Sequence, residues 1–112
     1  ENIVKYLIEK GADVNYKDDS GNTPLIMACL YTACDYEIEN IVKYLVEKGA
    51  DVNENDNGHF IPLICACYKG NETIIKYLIE NGANINCIDN KGNTPLMIAC
   101  KIGNKKLVKY LI

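Results

Sequence analysis

Apolar and polar positions fall into short helical stretches that break off and then return in nearly the same words. IVKYLIEKGADVN occupies 3–15, IVKYLVEKGADVN 41–53 and IIKYLIENGANIN 74–86, and the chain closes on LVKYLI at 107–112. Apolar residues recur three and four positions apart, as in Ile3, Val4, Leu7 and Ile8, which is the spacing of an amphipathic helix. Each full copy stops at Gly11, Gly49 or Gly82, glycine being the usual residue at a left-handed helix end. A second apolar stretch runs as TPLIMAC at 23–29, IPLICAC at 61–67 and TPLMIAC at 94–100. Its proline suits the first turn of a helix, where the missing N–H is not needed. These runs end near Gly70 and Gly103. The Asp- and Asn-rich stretches with Gly21, Gly58 or Gly92 read as turns. The unit is therefore helix, short loop, helix, extended turn.

Two motifs keep one period. Tyr6, Tyr44, Tyr77 and Tyr110 are separated by 38, 33 and 33 residues, and Pro24, Pro62 and Pro95 by 38 and 33. A fixed period in this range marks a solenoid of stacked units. The five additional residues of the first interval lie in LYTACDYEIEN, at 30–40, where the other copies have YKGNET and KIGNKK. Thr32 stands there in place of the glycine, so the first helix of that unit is expected to run past its usual stop. The extra residues are expected to be absorbed in the loop, at little entropic cost, with Cys34 and Tyr36 as exposed features. The insertion is then either tolerated length or an accessory contact.

DDSGNTPLIMAC at 18–29 and DNKGNTPLMIAC at 89–100 match D-x-x-G-x-T-P-L-h-x-A-A, and residues 41–53 and 74–86 match the G-x-x-x-h-V-x-x-L-L-x-x-G-A-D-V-N half that follows it. Over its whole length the chain resembles the ankyrin-repeat family. That resemblance implies an all-α ankyrin-repeat solenoid of stacked antiparallel helix pairs with β-hairpin-like finger loops. It also implies a concave face of inner helices and fingers that binds other proteins. On this alignment, 1–17 is the second helix and finger of a partial repeat. Residues 18–55 are a repeat with the insertion, 56–88 a full repeat and 89–112 a truncated one. Departures from the pattern are local. Ile26, Ile64 and Met97 replace the family's histidine, so apolar packing is expected there. Cys29, Cys67 and Cys100 replace its second alanine. In the middle repeat His59 stands at the finger glycine and Ile61 at the threonine, and a different finger turn is expected. The apolar residues at both ends imply either a longer array or covered ends.

Composition narrows the function. The chain has 112 residues, 48% apolar and 24% charged, at a net charge of −3, which is a globular balance for one domain. All twelve basic residues are lysine. Without arginine forks or a basic footprint, no nucleic-acid partner is expected. No apolar run approaches a membrane span, and the first residues do not read as a signal peptide. Of the six cysteines, Cys29, Cys67 and Cys100 recur at repeat spacing, and stacked helices about 8–10 Å apart are too distant for disulfides between them. Reduced, buried thiols and an intracellular, most simply cytoplasmic, setting are expected. One histidine and no C-x-x-C leave zinc unsupported. NENDNG at 53–58 has Ile64 where a calcium loop needs its acid, and reads as a polar finger. With one serine, Ser20, and one histidine, His59, in different fingers, no triad is formed. Neither catalysis nor a cofactor is expected. Asn71-Glu72-Thr73 fits a glycosylation triplet, which the thiols argue against. Glu39–Lys43–Glu47 and Glu72–Lys76–Glu80 read as solvated outer helix faces with pairs four apart.

Carried over from the family, the partner-facing positions are Lys17, Asp19, Ser20, Asn22, Leu30 and Tyr31, then Asn55, Asn57, Phe60, Tyr68 and Lys69, then Ile88, Asn90, Lys91, Asn93, Lys101 and Ile102. Tyr31, Phe60, Tyr68, Ile88 and Ile102 are either binding anchors, since hot spots favour aromatics, or ordinary cover for the inner helices. The resemblance implies a protein-binding scaffold for a partner the sequence does not name. The alternatives are a spacer in a longer array, or a targeting module fused to an enzyme outside these residues.

Overall fold

The computed structural model describes residues 2–30, 36–56 and 60–112. They form seven helices: α1 (Asn2–Glu9), α2 (Pro24–Leu30), α3 (Tyr36–Glu47), α4 (Pro62–Lys69), α5 (Glu72–Glu80), α6 (Pro95–Ile102) and α7 (Lys105–Leu111). The even-numbered helices make an inner row in which α2 packs on α4 and α4 on α6. Behind it α3 packs on α5, and each inner helix pairs with the outer helix that follows it. The layers follow chain order along a body of 42 × 27 × 21 Å.

Local chemistry sets where the inner helices start and stop. Proline opens each one, and the Thr23 and Thr94 hydroxyls accept from the N–H of Ile26 and Met97 at 3.2 and 3.3 Å. Ile61 offers no such oxygen, so α4 starts without a side-chain cap. At the other end Gly70 and Gly103 adopt φ of 70° and 81°, the left-handed region that returns the chain into the outer helix. Asn71 and Asn104 then cap α5 and α7, accepting from Ile74 and Leu107 at 3.1 Å.

The insertion departs from expectation. Ile38 occupies the place of these capping asparagines and cannot accept a backbone proton. α3 therefore begins one turn earlier and runs for 12 residues, against 9 in α5. Part of the extra length is helix rather than loop. Tyr36 is exposed, as expected, while Ile38 packs against the core. Cys34 and the expected overrun of α2 at Thr32 lie outside the described residues.

The core is densest at the middle layer. Every residue from Pro62 to Cys67 is buried, because α4 has an inner-row neighbour on both sides. Equivalent positions depend on the inner helix that follows, which α2 and α4 have and α6 does not among the described residues. Leu25, Leu63, Ile26 and Ile64 are wholly buried, whereas Leu96 and Met97 in α6 are 37% and 54% exposed. Cys29 and Cys67 are buried, but Cys100 is exposed, contrary to the expectation for all three. α6 packs on α4 alone among the inner helices described.

Side chains tie the layers together. The Asn15 amide donates to the Gly49 carbonyl at 3.0 Å and accepts from the Asp51 N–H at 2.8 Å. Asn53 does the same for Gly82 and Asn84, at 3.0 and 2.8 Å. On the outer row the ammonium groups of Lys5, Lys43 and Lys76 lie over the rings of Tyr44, Tyr77 and Tyr110 at 5.5, 5.9 and 5.3 Å. The K-Y pair of each repeat thus reaches the next repeat, a cation–π ladder across the outer row. Glu39 accepts from the Asn71 amide at 3.2 Å.

Candidate functional site

Three fingers end beside the inner row, and each is closed the same way. Backbone N–H groups of Asp18, Asp56 and Asp89 donate to the carbonyls of Asn22, Phe60 and Asn93, all at 3.0 Å. The aspartate carboxylates accept in return from the N–H of the same three residues at 2.9, 2.8 and 2.8 Å. An aspartate four residues before its partner thus locks the turn from both sides. The described residues of the fingers form turns and no strand. The tip at 57–59, where His59 replaces glycine, lies outside the described residues, so the expected difference in its shape does too.

The candidate positions divide into groups. Asp19 and Ser20 are exposed at the first finger, Asn22 is half-buried behind them, and Asn55 is exposed on the second. Lys17 spans two fingers through a 2.8 Å ion pair with Glu54, which holds that carboxyl below its ordinary range. Leu30 is half-buried and packs against the core. Tyr31 and Asn57 lie outside the described residues. Ile88 and Ile102 are exposed on the third finger and the last turn of α6. Lys69 and Lys101 are exposed at the C-terminal turns of α4 and α6.

Four candidates meet in one place. Phe60, Tyr68, Asn90 and Lys91 line a cleft of about 320 Å³ together with Asp89. Phe60 and Tyr68 are 39% and 40% exposed, so each presents a ring face while its remainder packs. The Tyr68 hydroxyl donates to Asp89 Oδ2 at 2.7 Å and holds the ring against the third finger. Asp89 also accepts from the N–H of Lys91 at 2.9 Å, the N–H of Asn93 at 2.8 Å and the Asn93 amide at 3.3 Å. Burial pushes the Asp89 carboxyl upward, but these donors, Tyr68 first, outweigh it and hold it at about 2. The same bond raises the Tyr68 hydroxyl above its ordinary value.

Asp89 is the residue that reading the sequence missed. Its recurrence with Asp18 and Asp56 marked a turn, but nothing along the chain linked it to Tyr68, 21 positions earlier.

Other constellations are occupied by packing. Burial raises the thiols of Cys65 and Cys67 to about 12, and that of Cys29 higher still. Cys65 adds to the effect on Cys29, and Cys87 to that on Cys67, so the two thiols of α4 face different neighbours. Asn71 is 2% exposed and spends its side chain on the α5 cap and Glu39, which leaves it no room to carry a glycan. Among the described residues no three histidine, cysteine or acidic side chains converge on a metal-sized point. No helix among them is long and apolar enough to cross a membrane.

A family model described as ankyrin repeats (3 copies) matches residues 1–56 and 30–112. No curated protein matches the sequence.

Proposed function

The chain belongs to the ankyrin-repeat family, and from that premise we propose that it is a non-catalytic scaffold that binds a partner protein on its inner-helix and finger face. Ankyrin repeats are in general protein-interaction modules. The observation that supports this face is the cleft, where exposed rings of Phe60 and Tyr68 stand among polar finger residues. Partly exposed aromatics on a rigid support bind at low entropic cost. The fingers are preorganised by their aspartate locks, so little ordering is left for the moment of binding. The remaining candidate positions, from Lys17 and Asn22 to Ile102, extend the surface along the stack. The same reading keeps the chain in a reducing compartment, where its thiols persist.

The test compares proteins captured from an extract by the wild-type chain, by Phe60→Ala with Ile102→Ala, and by Lys48→Ala with Glu80→Ala on the outer row. Partners lost with the first pair and kept with the second are the expected result. A partner set unaffected by the first pair removes the proposed face.

A further inference from the structure

The charge of this chain is separated along the stack. Residues 1–60 carry five lysines against twelve carboxylates, a net −7, and residues 61–112 carry seven against three, a net +4, which together make the chain's −3. Because layers follow chain order along the 42 Å axis, the division in sequence is also a division in space.

The two halves treat their lysines differently. Lys17 is paired with Glu54, and Lys5, Lys10, Lys43 and Lys48 lie over tyrosine rings. Beyond residue 60 only Lys76 does so. The cleft lies at the boundary of the two halves, with Phe60 at the end of the first and Tyr68, Asp89, Asn90 and Lys91 in the second. Lys91 lines it, Lys69 follows Tyr68, and Lys101 holds in α6 the position Tyr68 holds in α4. All three are exposed, and none is paired with a carboxylate among the described residues. The one acid in the cleft, Asp89, is 5% exposed and already accepts four hydrogen bonds. An incoming group therefore meets two aromatic side chains and Lys91, with Lys69 and Lys101 exposed at the ends of α4 and α6.

We propose that this cleft receives an acidic peptide segment of a partner protein, with one aromatic side chain seated between Phe60 and Tyr68 and flanking carboxylates on Lys91, Lys69 and Lys101. The proposal rests on the protein-binding reading above and gives its partner a chemistry. Positive potential on this half draws in an acidic segment and repels a basic one. The rings supply the apolar contact that fixes its register.

Three synthetic peptides test it by amide NMR titration of the wild-type chain: Glu/Asp-rich with a central Phe, the same with Gly for Phe, and Lys-rich with a central Phe. The acidic Phe peptide is expected to shift the amides of Phe60, Tyr68 and Lys91 saturably. Its binding should weaken at least about fivefold between roughly 50 and 300 mM salt, as charge attraction is screened. The Gly peptide, and the Phe peptide on Lys91→Glu, should each bind at least about fivefold more weakly. Lys91 holds the finger through its backbone N–H, so this variant keeps the fold, which its amide spectrum checks. If the lysine-rich Phe peptide binds the cleft as well as the acidic one, the acidic partner is overturned and the protein-binding face stands. Shifts confined to Lys105 and Lys106 on α7 overturn the cleft. No shift from either Phe peptide overturns the cleft as a peptide site, while the protein-binding face is decided by the capture comparison.

Discussion

Asp89 concentrates the chemistry of the site at the scale of one residue. Its carboxyl sits at about 2 instead of the ordinary 3.8, because four donors favour the charged form despite burial. A carboxyl lowered by folding contributes stability above its unfolded value, and that contribution is lost as pH falls through the folded one. Asp89→Asn is therefore expected to be clearly less stable than wild type at about pH 5 to 7. The gap should close between about pH 4 and 2, as measured by urea denaturation at each pH. Tyr68→Phe keeps the ring and removes one donor, and should cost about 1 kcal/mol near neutrality. If that gap persists unchanged at pH 2, the link between Tyr68 and the charge of Asp89 is wrong.

At the scale of elements, helix ends explain why α3 is longer than α5. Asn71 and Asn104 stop α5 and α7 from extending backwards, and Ile38 does not stop α3. Asn71 also reaches across to Glu39, so the cap of one outer helix is tied to the first turns of its neighbour. Asn71→Ala should cost about 1–2 kcal/mol, a cap plus a charge-assisted bond, while Asn81→Ala on the exposed end of α5 should cost well under 1 kcal/mol. Chemical denaturation of the two variants decides it. Equal effects would mean that α5 is held by its apolar face alone.

A gradient from packed middle to open layers governs the whole molecule. The main helix contacts among the described residues run within a layer or between neighbouring layers, so stability is a sum of local terms and neighbour terms. α4 has inner neighbours on both sides, and Ile64→Ala is expected to cost about 2–5 kcal/mol. The equivalent Met97→Ala, at a side chain 54% exposed, should fall within about 1 kcal/mol of wild type. Thermal or urea unfolding compares the two directly. Similar losses would show that α6 is covered in solution. The charge separation belongs to this scale too, since no single layer displays it.

The sequence by itself determined the repeating pattern of helices. Prolines, end glycines and the helical spacing of apolar residues are local properties of the backbone and its nearest neighbours, and they placed the helices. It also set Cys29, Cys67 and Cys100 at equivalent positions, too far apart in a stack for disulfides with one another. Only the tertiary structure decided which equivalent residues are equal. Cys29 and Cys100 end matching TPL-x-x-A-C runs, yet α2 has an inner helix following it and α6 has none among the described residues, and one cysteine is buried while the other is exposed. The lysines of the outer helices looked paired with glutamates four positions away, yet Lys43 and Lys76 also lie over the tyrosine of the next layer. The partner-facing positions came from the family pattern, but their gathering into a cleft depends on the bond from Tyr68 to Asp89. A bond between an inner helix and a finger depends on how layers stack, and no local periodicity along the chain encodes it.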